Sequence, residues 1–164
     1  MSDCHLADTG LFAAIGRPSN DRYQSVETFA RSNGITFLLP ERVYEELTVD
    51  HVTDDPPVEQ AITDGWVRVA EPPTYHDSFV SRAMDGVRRY IANADDRPAD
   101  EVERADSALA GVAADRLTGP ADHVYVYTTD IAAGEAIETV FASDGYGESV
   151  TFVNGFRFVE DLPR

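Results

Sequence analysis

Apolar runs of strand length alternate with stretches of helical spacing along most of the chain. Residues 4–9 form the first run, which ends at the turn Asp8-Thr9-Gly10. Helical spacing follows from Leu11 to Ile15, until Arg17-Pro18-Ser19-Asn20 breaks it. Residues 22–32 set Tyr23, Val26, Phe29 and Ala30 on one helical face, with Asn33-Gly34 as the stop. Ile35 to Leu39 is a continuous apolar run that suits a buried parallel strand, and Pro40 suits the first turn of a helix carrying Val43, Tyr44 and Leu47. Asp50 to Pro57 is polar and proline-rich, hence a loop, and a short helix over 58–64 ends at Gly65.

Trp66 to Ala70 is the third strand, stopped by Glu71-Pro72-Pro73. Phe79, Val80, Ala83, Met84, Val87, Tyr90 and Ile91 predict a long amphipathic helix, closed by a polar break from Asn93 to Pro98. Residues 99–117 form the next helix, ended by Gly119-Pro120; His123 to Thr128 is a strand, 131–142 a helix and Ser149 to Val153 a last short strand. Phe156-Arg157-Phe158 packs back on the body. This alternation predicts an α/β fold: one domain over residues 1–164, a central parallel sheet of about five strands between two helix layers.

Ligands of such sheets bind beyond the carboxyl ends of the strands, where the strand order reverses. Four acids fall where that fold gathers them. Asp8 ends the first strand and Asp130 follows the strand that closes at Thr128, while Glu46 and Asp106 sit on helices able to face the same rim. Carboxylates brought together repel one another, and a divalent cation is the usual way to hold them. Metal-assisted cleavage of a phosphodiester is the chemistry this points to. Each acid also has a plainer role: Asp8 and Asp130 as helix caps, Glu46 and Asp106 as surface acids.

Charge changes how these acids are weighed. The chain of 164 residues carries a formal net charge of -17, and its 13 basic residues are all arginine. Such a surface repels nucleic acid at low salt, a repulsion largely screened at ~1 M salt, where the Debye length is ~3 Å. The acidity reads as adaptation to a salt-rich cytoplasm, as in a halophilic archaeon, and supplies many accidental carboxylate spacings. Arg82, Arg88 and Arg89 on the long helix are candidates for contacting the phosphates of a phosphodiester substrate, with surface ion pairing as the plainer reading. So are Arg17 and Arg22.

Cys4 has no His/Cys cluster around it and fills space beside the first strand. No apolar run reaches the ~20 residues of a membrane span, and the N-terminus lacks a signal peptide's pattern, so the expected location is cytoplasmic.

Four local patterns, in this order, resemble the PIN-domain ribonucleases, including the VapC-like toxins of toxin–antitoxin pairs. They are Asp8-Thr9 at the end of the first strand, Glu46-Leu47 on the helix after the second, Asp106-Ser107-Ala108 opening a small-residue helix, and Thr128-Thr129-Asp130 after the fourth. The resemblance covers nearly the whole chain. It implies a five-stranded parallel sheet between helices and endonucleolytic cleavage of RNA with Mg²⁺ or Mn²⁺. Asp8 and Asp106 are then metal ligands, Asp130 is a ligand or orients a bound water, Glu46 holds a metal water or acts as base, and Thr9 and Thr128 orient the carboxylates or the phosphate. It also implies homodimers and, for a toxin, an antitoxin partner.

The alternative is a non-catalytic PIN-like module within an RNA-processing or toxin–antitoxin complex. A response-regulator receiver and a phosphate loop both need lysine, which the chain lacks. A haloacid-dehalogenase phosphatase needs a second Asp where Gly10 stands.

Overall fold

The computed structural model describes residues 2–48, 56–96 and 104–164. Its centre is a five-stranded, all-parallel sheet of β1 (Asp3–Ala7), β2 (Phe37–Leu39), β3 (Val67–Val69), β4 (His123–Thr128) and β5 (Val150–Asn154), in the order β3-β2-β1-β4-β5. The helices are α1 (Thr9–Ile15), α2 (Asp21–Asn33), α3 (Glu41–Thr48), α4 (Pro57–Thr63), α5 (Ser78–Ala94), α6 (Arg104–Leu117), α7 (Ile131–Ser143) and α8 (Gly155–Asp161). This is the predicted three-layer α/β/α fold.

The sheet divides the interior in two because successive strand residues point to opposite faces. Leu6, Leu38, Val124 and Val126 pack against α5, α6 and α7. Ala7, Phe37, Leu39, Val67 and Tyr127 pack against α1, α2, α3, α4 and α8, around Tyr23 and Trp66. The strand order reverses between β1 and β4, which pair in register from Asp3–His123 to Ala7–Tyr127. That pair is the switch point. No helix among the described residues is long and apolar enough to cross a membrane.

Most boundaries move by a residue or two, and four differences have physical causes. Asp8 belongs to no turn: its extended backbone and side chain cap α1 directly, so the helix begins at Thr9. Ile35 is not yet strand, because its N–H completes the end of α2 by donating to the Ala30 carbonyl (2.8 Å), after Gly34 takes the left-handed conformation (φ 64°). Pro40 stands one place before α3 and contributes its carbonyl, which accepts from the Tyr44 N–H. The C-terminal Phe156-Arg157-Phe158 lies in a helix, α8, whose N-terminus Asn154 caps through its side chain. From there Phe158 reaches Phe29, Phe37 and Tyr127.

The predicted break at 93–98 starts late, since α5 runs through Ala94. Most of the loop predicted over 50–57, residues 97–98 of that break, and the predicted helical residues 99–103 lie outside the described residues; Pro57 already opens α4.

Candidate metal and nuclease site

Asp8 is placed by the sheet itself. Its N–H donates to the Tyr127 carbonyl (3.1 Å), extending the β1–β4 ladder one residue past β1. Its side chain turns into the switch point and is buried, 7% exposed. One carboxylate oxygen accepts from the Leu11 N–H (3.0 Å), and the other accepts from the fully buried Thr128 hydroxyl. Thr128 Oγ1 in turn accepts from the Asp130 N–H (3.0 Å). A hydroxyl has one proton, so accepting from Asp130 leaves that proton for Asp8 and fixes its direction. Asp130 itself is exposed, and its carboxylate caps α7 by accepting from the Ala133 N–H (3.1 Å). At both strand ends the carboxylate caps the helix that follows.

Glu46 comes to the same rim from α3. Val43 and Leu47 bury one side of that helix, which turns Glu46 toward Thr9, whose hydroxyl donates to Glu46 Oε2 (2.8 Å). The second oxygen, Oε1, lies 3.7 Å from Arg42 Nε, and the side chain is 22% exposed. Glu45, one residue earlier, points outward and pairs with Arg42 at 3.4 Å. Asp106 lies in the first turn of α6, buried to 7% exposure beside buried Ser107. Helix α6 packs on β1, β4 and α3, the elements that lead to the other three acids.

Two glycines shape this rim. A Cβ at Gly10 would lie 1.8 Å from Thr129 Oγ1 and 3.4 Å from Asp8 Oδ1. Only glycine leaves Thr129 its place against the first turn of α1, and Gly155, whose Cβ would lie 3.0 Å from Thr129 Cγ2, borders Thr129 as well. The glycine after Asp8-Thr9 is visible in the chain, but its reason lies about 120 positions away.

Burial raises the Asp8 pKa above the ordinary carboxylate value, and the nearby charge of Asp130 raises it further. Hydrogen bonds from Thr128, Leu11 and Gly10 pull the other way without cancelling the rise. Ionised Asp8 is thus held beside a like charge in a partly dry place.

Among the described residues, no three Asp, Glu, His or Cys side chains converge closely enough to form a ligand set as they stand. The donors still fit a hard divalent cation. They are carboxylate oxygens with no thiol or imidazole among them, and the hydrogen bonds from Thr128, Leu11 and Gly10 leave the Asp8 carboxylate a lone pair to spare. A cation would also offset the Asp8–Asp130 repulsion.

The candidate RNA-contacting arginines are not gathered here. Arg82 pairs with Asp144 (3.4 Å) and lies over the Phe79 ring. Asp144 caps the end of α7 opposite Asp130, and 13 helical residues at ~1.5 Å each separate those ends by ~20 Å. Arg88 and Arg89 lie further along α5, without ion pairs among the described residues. Arg17 and Arg22 are exposed.

A parallel α/β/α sandwich with a buried carboxylate at its switch point, an acid helix cap beside it and a glutamate held by the neighbouring Thr9 defines an α/β domain with an acidic rim. The chain belongs to the PIN-domain family: the model described as Halobacterial PIN domain matches residues 1–164. PIN domains are generally nucleases that use divalent metal ions. No curated protein matches the sequence.

Proposed function

We propose that this PIN domain is a metal-dependent endoribonuclease, a hydrolase of RNA phosphodiester bonds. The observation that carries the reading is Asp8. It is a buried carboxylate at the switch point, beside Asp130 and with its pKa raised, and folding tolerates such a cost most readily at a working site. Asp8, Asp106 and Asp130 are the residues to hold Mg²⁺ or Mn²⁺. When bound, such an ion supplies activation of a water and offsets charge on the scissile phosphate.

The chain's own groups do the rest. Thr128 keeps the Asp8 carboxylate aimed by donating to it, and the Leu11 N–H holds the other oxygen. Glu46, held by Thr9, is the group to accept the attacking water's proton. In this reading the protein works in a salt-rich cytoplasm, and cleavage needs high salt, because a net charge of -17 repels RNA until it is screened. That is opposite to the usual loss of nucleic-acid binding with salt.

The test is cleavage of a pool of structured RNAs in molar KCl with Mn²⁺, comparing wild type with Asp8→Asn and Asp106→Asn. Metal-dependent cutting that falls by ~10² or more in both variants supports the proposal. Cutting that survives in both removes it. A folded, metal-loaded wild type that cuts nothing favours the non-catalytic module. Growth arrest on expression, relieved by a neighbouring gene product, assigns a toxin with its antitoxin; harmless expression of an active enzyme assigns RNA maturation instead.

A further inference from the structure

The opposite end of the sheet carries a cavity of about 510 Å³, formed at the amino ends of β1 and β2 and flanked by Arg68 of β3 and Arg116 in the last turn of α6. It lies toward the amino ends of the strands, whereas Asp8 follows the carboxyl end of β1. Neither guanidinium has an ion pair among the described residues, although the chain offers 30 acidic residues. Both are close enough to the Cys4 thiol, which also lines the cavity, for their charges to act on it against the effect of burial. Asp3 is the only carboxylate in the lining, and the lining His5 is kept toward its neutral form, chiefly by burial. The local balance is positive on a molecule whose net charge is -17.

We propose that this cavity binds a phosphate group, with Arg68 and Arg116 as its two ligands. Guanidinium presents paired N–H donors that match phosphate oxygens, and two of them from different elements can grip one tetrahedral group from two sides. The volume exceeds what a bare ion fills and falls within the ~300–1,000 Å³ of small-molecule sites, so the phosphate is carried on something larger. A nucleoside monophosphate and the terminal phosphate of an oligonucleotide share that chemistry. The general field of the protein repels every anion, so one dwells only where unpaired cations are concentrated.

The test is calorimetric titration of the full chain in molar KCl with EDTA, which keeps divalent ions from bridging phosphate to the acidic rim. The probes are adenosine monophosphate, adenosine, inorganic phosphate, and one dinucleotide with and without a 5′-phosphate. Adenosine monophosphate should bind at least about tenfold tighter than adenosine, and Arg68→Gln and Arg116→Gln should each weaken it about tenfold or more. Arg68→Lys should keep part of the binding, which separates lost charge from lost fold. Asp8→Asn should leave it unchanged.

A 5′-phosphorylated dinucleotide binding more tightly than adenosine monophosphate would assign the end of a nucleic acid, and the reverse order a free nucleotide. Inorganic phosphate matching either would assign the ion alone as the occupant and overturn the carried phosphate. Equal binding of adenosine and its monophosphate, binding that survives the double arginine substitution, or no binding by a folded wild type would overturn the proposal.

Discussion

The two ends of the sheet treat charge in opposite ways. At the carboxyl end, folding buries Asp8 beside Asp130 and brings Glu46 over Thr9. At the amino end it places Arg68 and Arg116 around Cys4 and leaves both without an ion pair among the described residues. Acids prevail at the first end, where only Arg42 comes near, and arginines at the second, where Asp3 joins the lining. Of the other arginines, three pair: Arg31 with Glu27 at 2.9 Å, Arg42 with Glu45 and Glu46, and Arg82 with Asp144, while Arg88 and Arg89 on α5 have no ion pair among the described residues. The contrast teaches that net charge says little about sites in so acidic a chain. What matters is where a charge is left without its opposite.

The sharpest way to break the carboxyl end without touching its charges is Gly10→Ala. The added Cβ meets Thr129 Oγ1 at 1.8 Å, so Thr129, which stands between Thr128 and Asp130, must shift. We expect a loss of about 1–3 kcal/mol in chemical denaturation, together with lost cleavage. Thr129→Ala in the same chain should restore most of the stability, and a double-mutant cycle without coupling would refute this packing.

Thr9→Val comes next. It removes the hydroxyl that holds Glu46, and cleavage should fall about tenfold with little change in melting. Unchanged cleavage would mean that Glu46 needs no such support.

Asp8→Asn should stabilise the metal-free protein at neutral pH by about 0.5–2 kcal/mol while abolishing cleavage. The sign follows from the raised pKa. The folded state binds the Asp8 proton more tightly than the unfolded chain, so this contribution to stability is present at low pH and lost as pH rises through the folded pKa. The gap between variant and wild type should therefore be widest near neutrality and close as the pH falls. Saturating Mn²⁺ should reverse the order by stabilising the wild type, by ~2.7 kcal/mol at a hundred times Kd. A gap independent of pH would contradict the burial argument.

The smallest effect belongs to the exposed Arg82–Asp144 pair. Arg82→Gln should cost ~0.2–1 kcal/mol, less in high salt, and leave cleavage intact. Lost cleavage would bring Arg82 back as an RNA contact.

What the sequence made legible follows from how local each signal is. Strand β4 was read from His123 to Thr128, the limits it has, because its residues alternate in facing and break signals stand on both sides. Helix α5 was readable because an apolar stripe repeats through 17 residues. Helix α8 was not, since seven residues hold barely two turns of pattern. The acids at the strand ends could be named from position in an α/β chain. Choosing Glu46 over Glu45 needed a family pattern, because only the packing of Val43 and Leu47 decides which glutamate turns toward Thr9. The Thr128 hydroxyl that aims Asp8, and the space Gly10 leaves for Thr129, were invisible. Each joins residues that only the closed sheet makes neighbours.

That separation has a consequence for the order of events in synthesis. Asp8 and Thr128 stand 120 positions apart, and β1 finds its partner β4 only after α5 and α6 have been made. At ~5–20 residues per second, a ribosome needs on the order of 10 s between the first half of the pocket and the second. During that interval β1 has at most the short β2 beside it, and the carboxylate has no Thr128 to aim it. A nascent chain therefore carries no assembled pocket while most of it is being made. The strand order acts as a clock that arms the site only near the end of translation.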